Sequence, residues 1–279
     1  MAILKISEEL SRDISTKSLK IEVYHQSNID LFLESDNSFQ VVFRSAKKML
    51  EENYYVLIKN IGFVRKKNIF ESFVKLFGEY YGAIEYTDIK LDCPYTGCKT
   101  KSLSLHNDDA IDIGGQPKYG FIQIQKEDPL KITKNGMVLI DDMVSYLQLH
   151  NNDLFNNLLN IKIKMLAYGV NYDGNDKNEI IINEPILYYE DDKINVRFDL
   201  TRINYYYWSK KITPSNQEKL LIDEFLLVAN KFRKEMYLEE GDILIHDNLR
   251  TLHDRTECTL ELNLDGTFNT REIFVSFTR

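Results

Sequence analysis

A chain of 279 residues with 43% hydrophobic content can bury one large core, or a core with an attached smaller layer. Its net charge of −8, from 35 basic and 43 acidic side chains, argues against nucleic acid or an anionic membrane surface as a partner. Three cysteines, Cys93, Cys98 and Cys258, form neither a disulfide framework nor a paired C-x-x-C zinc site. They fit a reducing compartment, the N-terminal run lacks the apolar stretch of a signal peptide, and no segment reaches the length of a membrane span, so a cytoplasmic location is expected.

Residues 1–95 mix helix and strand. Residues 54–58 are a short apolar, β-rich run that ends at Asn60-Ile61-Gly62. Residues 66–80 read as an amphipathic helix, with Ile69, Phe73 and Leu76/Phe77 at helical spacing and a stop at Gly78 or before Gly82. From 96 to about 212 the chain reads mainly as strand. Residues 119–125 alternate apolar and polar positions, as a half-buried strand does. Asp141 or Asp142 caps a helix to about Leu149, and a second short helix runs through Phe155 and Leu159. Strand-like runs return at 161–170, 180–182, 186–189 and 194–200.

Residues 213–237 carry the clearest helical pattern. Thr213 suits the N-cap, Pro214 the first helical position, and Leu221, Phe225, Val228 and Phe232 make one apolar stripe. Lys231, Arg233 and Lys234 suit the negative end of the helix. Strands follow at 242–246 and 272–278. Many short strands with a few covering helices suggest an α+β, mainly β chain built on a double-sheet β core. No repeat or low-complexity linker divides it, so one domain over 1–279 is expected, with an α/β region at 1–95 packed on a core at 96–279.

The chemistry concentrates in two places. His106-Asn107-Asp108 puts an imidazole and a carboxylate at positions i and i+2, which share a face on an extended segment. His253 lies far along the chain, where a different strand can deliver it. Two imidazoles and one carboxylate are the ligand set of a mononuclear Fe(II) centre that keeps three positions open. The same set could serve a Zn(II) hydrolase. His246, just before the turn that leads to His253, reads as a packing residue, and Asp109 as a solvated acid on the opposite face.

The run Gly241-Asp242-Ile243-Leu244-Ile245-His246-Asp247-Asn248-Leu249-Arg250-Thr251-Leu252-His253-Asp254-Arg255-Thr256 resembles the C-terminal signature of the taurine dioxygenase/clavaminate synthase-like Fe(II)/2-oxoglutarate oxygenases. Leu103-Ser104-Leu105-His106-Asn107-Asp108 resembles the proximal half of their metal site. Residues 54–62 and Phe77-Gly78 are similar to the N-terminal strand and helix end of that family. The resemblance implies a double-stranded β-helix (jelly-roll) core with flanking helices. It implies Fe(II) held by His106, Asp108 and His253, with 2-oxoglutarate and O2 as cosubstrates. An arginine on the strand after the distal histidine holds the far carboxylate of 2-oxoglutarate in this family, and Arg271 lies within reach. Arg271, Ile273, Val275 and Phe277 share a face there.

Two features depart from the family pattern. Val275 stands where a second, cosubstrate-binding arginine is common, and Asn135-Gly136-Met137 lacks the threonine of a common Gly-x-Thr. Arg255 and Arg279 are therefore alternatives to Arg271.

The activity implied is hydroxylation of an unactivated C–H bond of a small molecule, an amino acid or amino-acid derivative. Desaturation would use the same site. Asp108 fills the carboxylate position, which leaves no place for a halide and disfavours halogenation. The alternative class is a metal-binding jelly-roll protein, an isomerase or binding protein, without oxygenase activity. Arg197 and Asp199 share a face in the strand-like run 194–202 and are candidates to read the carboxylate and amine of such a substrate. The aromatic run 205–208 could floor the pocket, and the stretch 92–101, with Pro94 and Gly97, could cover it.

Overall fold

The computed structural model describes residues 2–89, 99–170 and 177–279. One sheet runs in the order β1 (Ile3–Lys5), β2 (Tyr55–Lys59), β12 (Ile243–Asp247), β5 (Tyr119–Lys126), β16 (Glu272–Thr278), β3 (Tyr80–Asp88). Its neighbours are antiparallel except for the β1–β2 pair. A second sheet, antiparallel throughout, runs β11 (Lys234–Met236), β6 (Asn135–Leu139), β13 (Thr251–Arg255), β4 (Leu103–His106).

Alternation along the strands sorts the side chains into layers. In the first sheet Val56, Ile58, Phe121, Ile243, Ile245 and Phe274 point outward. They meet helices α1 (Glu8–Ile21), α2 (Gln26–Ser35), α3 (Asn37–Asn53) and α4 (Lys67–Lys75). In the second sheet Leu105, Val138 and Leu252 point outward against α5 (Ile140–His150), α6 (Asn152–Asn160), α7 (Leu200–Lys210) and α8 (Asn216–Phe232). The opposite faces meet in a smaller cluster to which both sheets contribute, with Tyr55, Leu57, Ile122 and Leu244 from one and Met137 from the other. The architecture is therefore mixed α and β, with two mainly antiparallel sheets face to face and helices on both flanks.

Three two-stranded ribbons complete the described chain: β7 (Lys162–Val170) with β8 (Lys177–Pro185), β9 (Leu187–Glu190) with β10 (Lys193–Val196), and β14 (Leu260–Leu262) with β15 (Phe268–Thr270). No helix among the described residues is long and apolar enough to cross a membrane.

Several local expectations are corrected. The helix expected over 213–237 is α8, and its N-cap is Ser215, not Thr213. The Ser215 hydroxyl accepts from the Glu218 N–H and the Glu218 carboxylate accepts from the Ser215 N–H, so both ends of a capping box are made. Residues 234–236 leave the helix because they pair with β6. The strand expected over 194–200 stops at Val196, because the Asp199 carboxylate accepts from the Thr201 and Arg202 N–H groups and starts α7. The aromatic run 205–208 is thus helical: Tyr206 and Tyr207 are core, and Trp208 is 74% exposed. The helix expected over 66–80 ends at Lys75. Of the stretch 92–101, expected to cover the site, residues 92–98 lie outside the described residues, Cys93 and Cys98 among them.

Gly62 fixes the turn between β2 and α4. Its φ is +92°, and a Cβ there would sit 2.2 Å from the Ser11 carbonyl oxygen on α1. Both the backbone conformation and the close approach exclude a side chain. Gly62→Ala is expected to lower stability by about 2–4 kcal/mol, read as a fall in the urea midpoint at unchanged m.

Candidate metal centre

His253 on β13 and His106 on β4 are direct cross-strand partners. Leu252 and Leu105 face the outer helices, so the two imidazoles face the space between the sheets. Their ring centroids are 4.2 Å apart. Asp108 joins them from a turn rather than from the strand, because β4 ends at His106. Asn248 holds it there: its Oδ1 accepts from the Asp108 N–H at 2.8 Å, and its Nδ2 donates to the Asp108 and Pro117 carbonyls. Asn107 anchors the same turn, its Oδ1 accepting from the Phe198 N–H. Asn107 and Asn248 are both fully buried. Sequence reasoning named the Asp-Asn pair within the distal run and saw no role for either asparagine.

One ligand atom each from His106, Asp108 and His253 lies within 4.8 Å of the others. The two Nε2 atoms approach the Asp108 carboxylate, His106 at 3.8 Å and His253 at 3.6 Å. The His106 Nδ1–H donates to the Ser104 carbonyl at 2.8 Å, which leaves the Nε2 lone pair free. Burial pushes His253 well below the usual histidine range, with His106 adding to the effect, so it is neutral. Side-chain exposure is 6% at His253, 13% at His106 and 21% at Asp108, so the site is closed at one end and open at the other. Two imidazoles and a carboxylate fit a divalent first-row metal ion.

Asp109 does not sit as a free solvated acid. Its backbone is left-handed at φ 49°, and partial burial and the neighbouring Asp108 push its carboxyl up. His246 also lies closer than expected. It is fully buried on β12, its ring centroid 4.6 Å from that of His253 and its Nε2 3.9 Å from Asp108 Oδ2. Burial first, then His253, push its pKa down to about 3. Alternation with Leu244, which faces between the sheets, is the signal that could have placed it.

The three arginines differ in what occupies them. Arg255 donates to the carbonyls of Lys99, Lys101 and Thr256 and to Cys258 Sγ. Arg279 is exposed, lies 4.2 Å over the Tyr81 ring and pairs with Asp112. Arg271 is 8% exposed, has one long bond of 3.4 Å to Asn135 Oδ1, and has no carboxylate partner among the described residues. Burial, then Arg255, push its pKa down to about 10. It precedes Ile273, which packs with the cluster between the sheets.

Arg197 is a second buried arginine without a carboxylate partner among the described residues. It lies 4.5 Å over the Tyr188 ring, and its Nη2 donates to Gln116 Oε1 at 3.4 Å. Asp199 does not share a strand face with it. The Asp199 carboxylate is taken by the α7 cap and by Arg202 at 3.1 Å, although its backbone bridges to His106.

No family model matches the chain, and no curated protein matches it in sequence. Solved structures do match. A non-heme iron oxygenase, OrfP, in complex with Fe, succinate and (3R,4R)-dihydroxy-L-Arg matches with a TM-score of 0.72 at 14% identity, over 100% of this chain and 94% of its own. The same oxygenase with Fe and alpha-ketoglutaric acid gives 0.71 at 15%, over 100% and 93%. An asparagine oxygenase in complex with Fe(II), 2S,3S-3-hydroxyasparagine and succinate gives 0.67 at 14%, over 100% and 93%. The chain therefore has the fold of these non-heme iron oxygenases over its whole length.

Asn248 is the pin of the site. Asn248→Ala strands the Asp108 N–H and two carbonyls in the interior, at an expected cost of about 3 kcal/mol in urea unfolding. Loss of Co(II) binding should accompany it, measured by titration at a temperature where the variant remains folded.

Proposed function

We propose that the protein is an Fe(II)- and 2-oxoglutarate-dependent oxygenase that hydroxylates an unactivated C–H bond of an amino acid or amino-acid derivative. The observation that carries this reading is the convergence of His106, Asp108 and His253 between two facing sheets, on the fold of known non-heme iron oxygenases. We read the paired sheets as a double-stranded β-helix and the chain as one catalytic domain over 1–279.

His106, Asp108 and His253 would hold the iron. When bound, the metal supplies O2 activation coupled to 2-oxoglutarate decarboxylation, so that substrate C–H, 2-oxoglutarate and O2 give alcohol, succinate and CO2. Arg271 holds the far carboxylate of 2-oxoglutarate. A guanidinium buried without an anion is costly, and the carboxylate of a bound dicarboxylate would supply the missing charge. This favours Arg271 over Arg255, whose donors are taken by carbonyls, and over Arg279, which is exposed and paired. It also favours an oxygenase over a zinc hydrolase or a metal-binding β protein, neither of which calls for a buried anion site.

Arg197, with Tyr188 and Gln116, is assigned to the substrate carboxylate. Asp199 is retained as the residue that starts α7 beside His106, its carboxylate being committed to the cap. The amino acids held in the similar structures, 2S,3S-3-hydroxyasparagine in the asparagine oxygenase and L-Arg in OrfP, support an amino acid as the substrate class.

His106→Ala, Asp108→Ala and His253→Ala are each expected to abolish Fe(II)-dependent succinate formation while leaving a cooperative unfolding transition. Wild-type succinate release in any one would remove the metal assignment.

Arg271→Ala should raise the 2-oxoglutarate requirement at least tenfold, from the loss of a charged partner worth about 2–5 kcal/mol. Without anions the same variant should be no less stable than the wild type. The depressed basicity of Arg271 means that its charge opposes folding below pH about 10, an effect relieved as pH rises from there through the ordinary arginine range. 2-Oxoglutarate should then raise the melting temperature of the wild type only. Arg197→Ala should depress substrate-stimulated succinate release more than the uncoupled decay of 2-oxoglutarate; equal loss of both would move the substrate site elsewhere.

A further inference from the structure

His246 lies against the metal carboxylate without belonging to the converging triad. Its Nε2 is fully buried and has no hydrogen-bond partner among the described residues. Asp108 Oδ2 stands 3.9 Å away. The Asp108 backbone is pinned by Asn248, while its carboxylate oxygens make no hydrogen bond among the described residues.

A neutral imidazole carries one ring proton, and its place is decided by what faces each nitrogen. Nδ1 is 3.1 Å from Thr251 Oγ1, and that oxygen is also 2.7 Å from the Asp247 carbonyl. With the proton on Nδ1, Thr251 donates to Asp247 and the Nε2 lone pair confronts a carboxylate oxygen in a space closed to water. With the proton on Nε2, Thr251 turns its hydroxyl to Nδ1 and a donor faces the carboxylate. The second arrangement gives up one neutral hydrogen bond, worth about 1 kcal/mol. The first sets a lone pair against a full charge where screening is weak, which costs more.

The backbone beside the ring supports a built contact. Gly120 on β5 is the cross-strand partner of His246, and a Cβ at 120 would lie 2.4 Å from Nε2 and 2.9 Å from Cε1. The ring can lie toward Asp108 only because position 120 has no side chain.

We propose that His246 is a positioning residue for the metal centre, carrying its proton on Nε2 and donating to Asp108 Oδ2 so that the other carboxylate oxygen is left for the ion. The 3.9 Å gap is about 1 Å longer than an N–H···O bond, and rotation of the Asp108 side chain about its pinned backbone closes it. The inference rests on the reading of His106, Asp108 and His253 as metal ligands.

Two measurements test it. The first is long-range 1H–15N correlation on the metal-free protein labelled in histidine, with the His246 signals assigned by their loss in His246→Gln. A pyrrole-type Nε2 and a pyridine-type Nδ1 are expected; the reverse tautomer would overturn the proposal. The second is anaerobic Co(II) titration followed by visible absorption. His246→Leu and Gly120→Ala should each weaken Co(II) binding by about 10–100-fold, the usual effect of removing a hydrogen-bond partner from a metal ligand. His246→Gln, whose amide nitrogen reaches the position of Nε2, should bind within threefold of the wild type with an unchanged saturated spectrum.

Wild-type affinity in a folded His246→Leu protein would overturn the assignment. So would a His246→Gln protein as weak as His246→Leu, or one whose saturated Co(II) bands shift, since that would make His246 a ligand. If His246→Leu fails to show a cooperative thermal transition, the tautomer and the His246→Gln affinity decide. Absence of Co(II) binding by the wild type would instead overturn the metal-centre reading, and this inference with it.

Discussion

The site depends on the register of one strand pair. His253 meets His106 across β13 and β4, and a slip by one residue would turn both imidazoles out of the space between the sheets. The register is held from both sides. Leu252 and Leu105 are buried under the helices that cover the second sheet, and β13 is paired along its whole length with β6. Asp108 sits beyond the end of this ladder and has no register of its own, which is why buried Asn248 and Asn107 spend their hydrogen bonds on that turn. Regular pairing places two of the three converging side chains, and side-chain amides place the third.

The interior carries charge that its own contacts do not neutralise. Asp108 faces His246 and His253, which burial keeps neutral, while Arg271 and Arg197 lie buried without carboxylate partners among the described residues. A protein selected for stability alone would replace such groups with apolar ones. Elsewhere the same chain pairs its buried ions well. Arg233 makes a bidentate pair with Asp254, and Lys59 reaches both Glu239 and Asp242. The contrast between these satisfied pairs and the unpaired Arg271 and Arg197 is the kind of contrast a buried anion would remove.

Much of this was legible in the sequence, for reasons that can be separated. The run 241–256 was read because glycine turn, apolar strand, Asp-Asn and histidine are contiguous, and local order survives folding. His106 and Asp108 do converge with His253, but not along one strand as expected, since the pair spans a strand end. Segment 194–202 misled because Val196, Phe198 and the tyrosines of α7 are strand-forming types, and an N-cap at Asp199 overrides them. Helices α1–α3 were not separated within 1–95, although Ser7 and Asp36 each accept from first-turn N–H groups as caps. His246 was read as packing because β12 is buried on both faces. A period of two carries no polar contrast there to say which residues face the other sheet.

The pairing order of the first sheet has a kinetic consequence. Val56 pairs with Ile245, and Phe121 with Ser276, so its central strands come from opposite halves of the chain. Each such ladder must close a long loop before it yields any burial, and chains with this topology fold slowly. Helices α1–α4 can form early, but their apolar stripes have no sheet to cover until β12 and β16 arrive. Until then the sticky surface at risk of association is the set of apolar stripes on these helices. Chaperone dependence during synthesis would thus trace to the N-terminal helices rather than to the strands that bring His106 and His253 together.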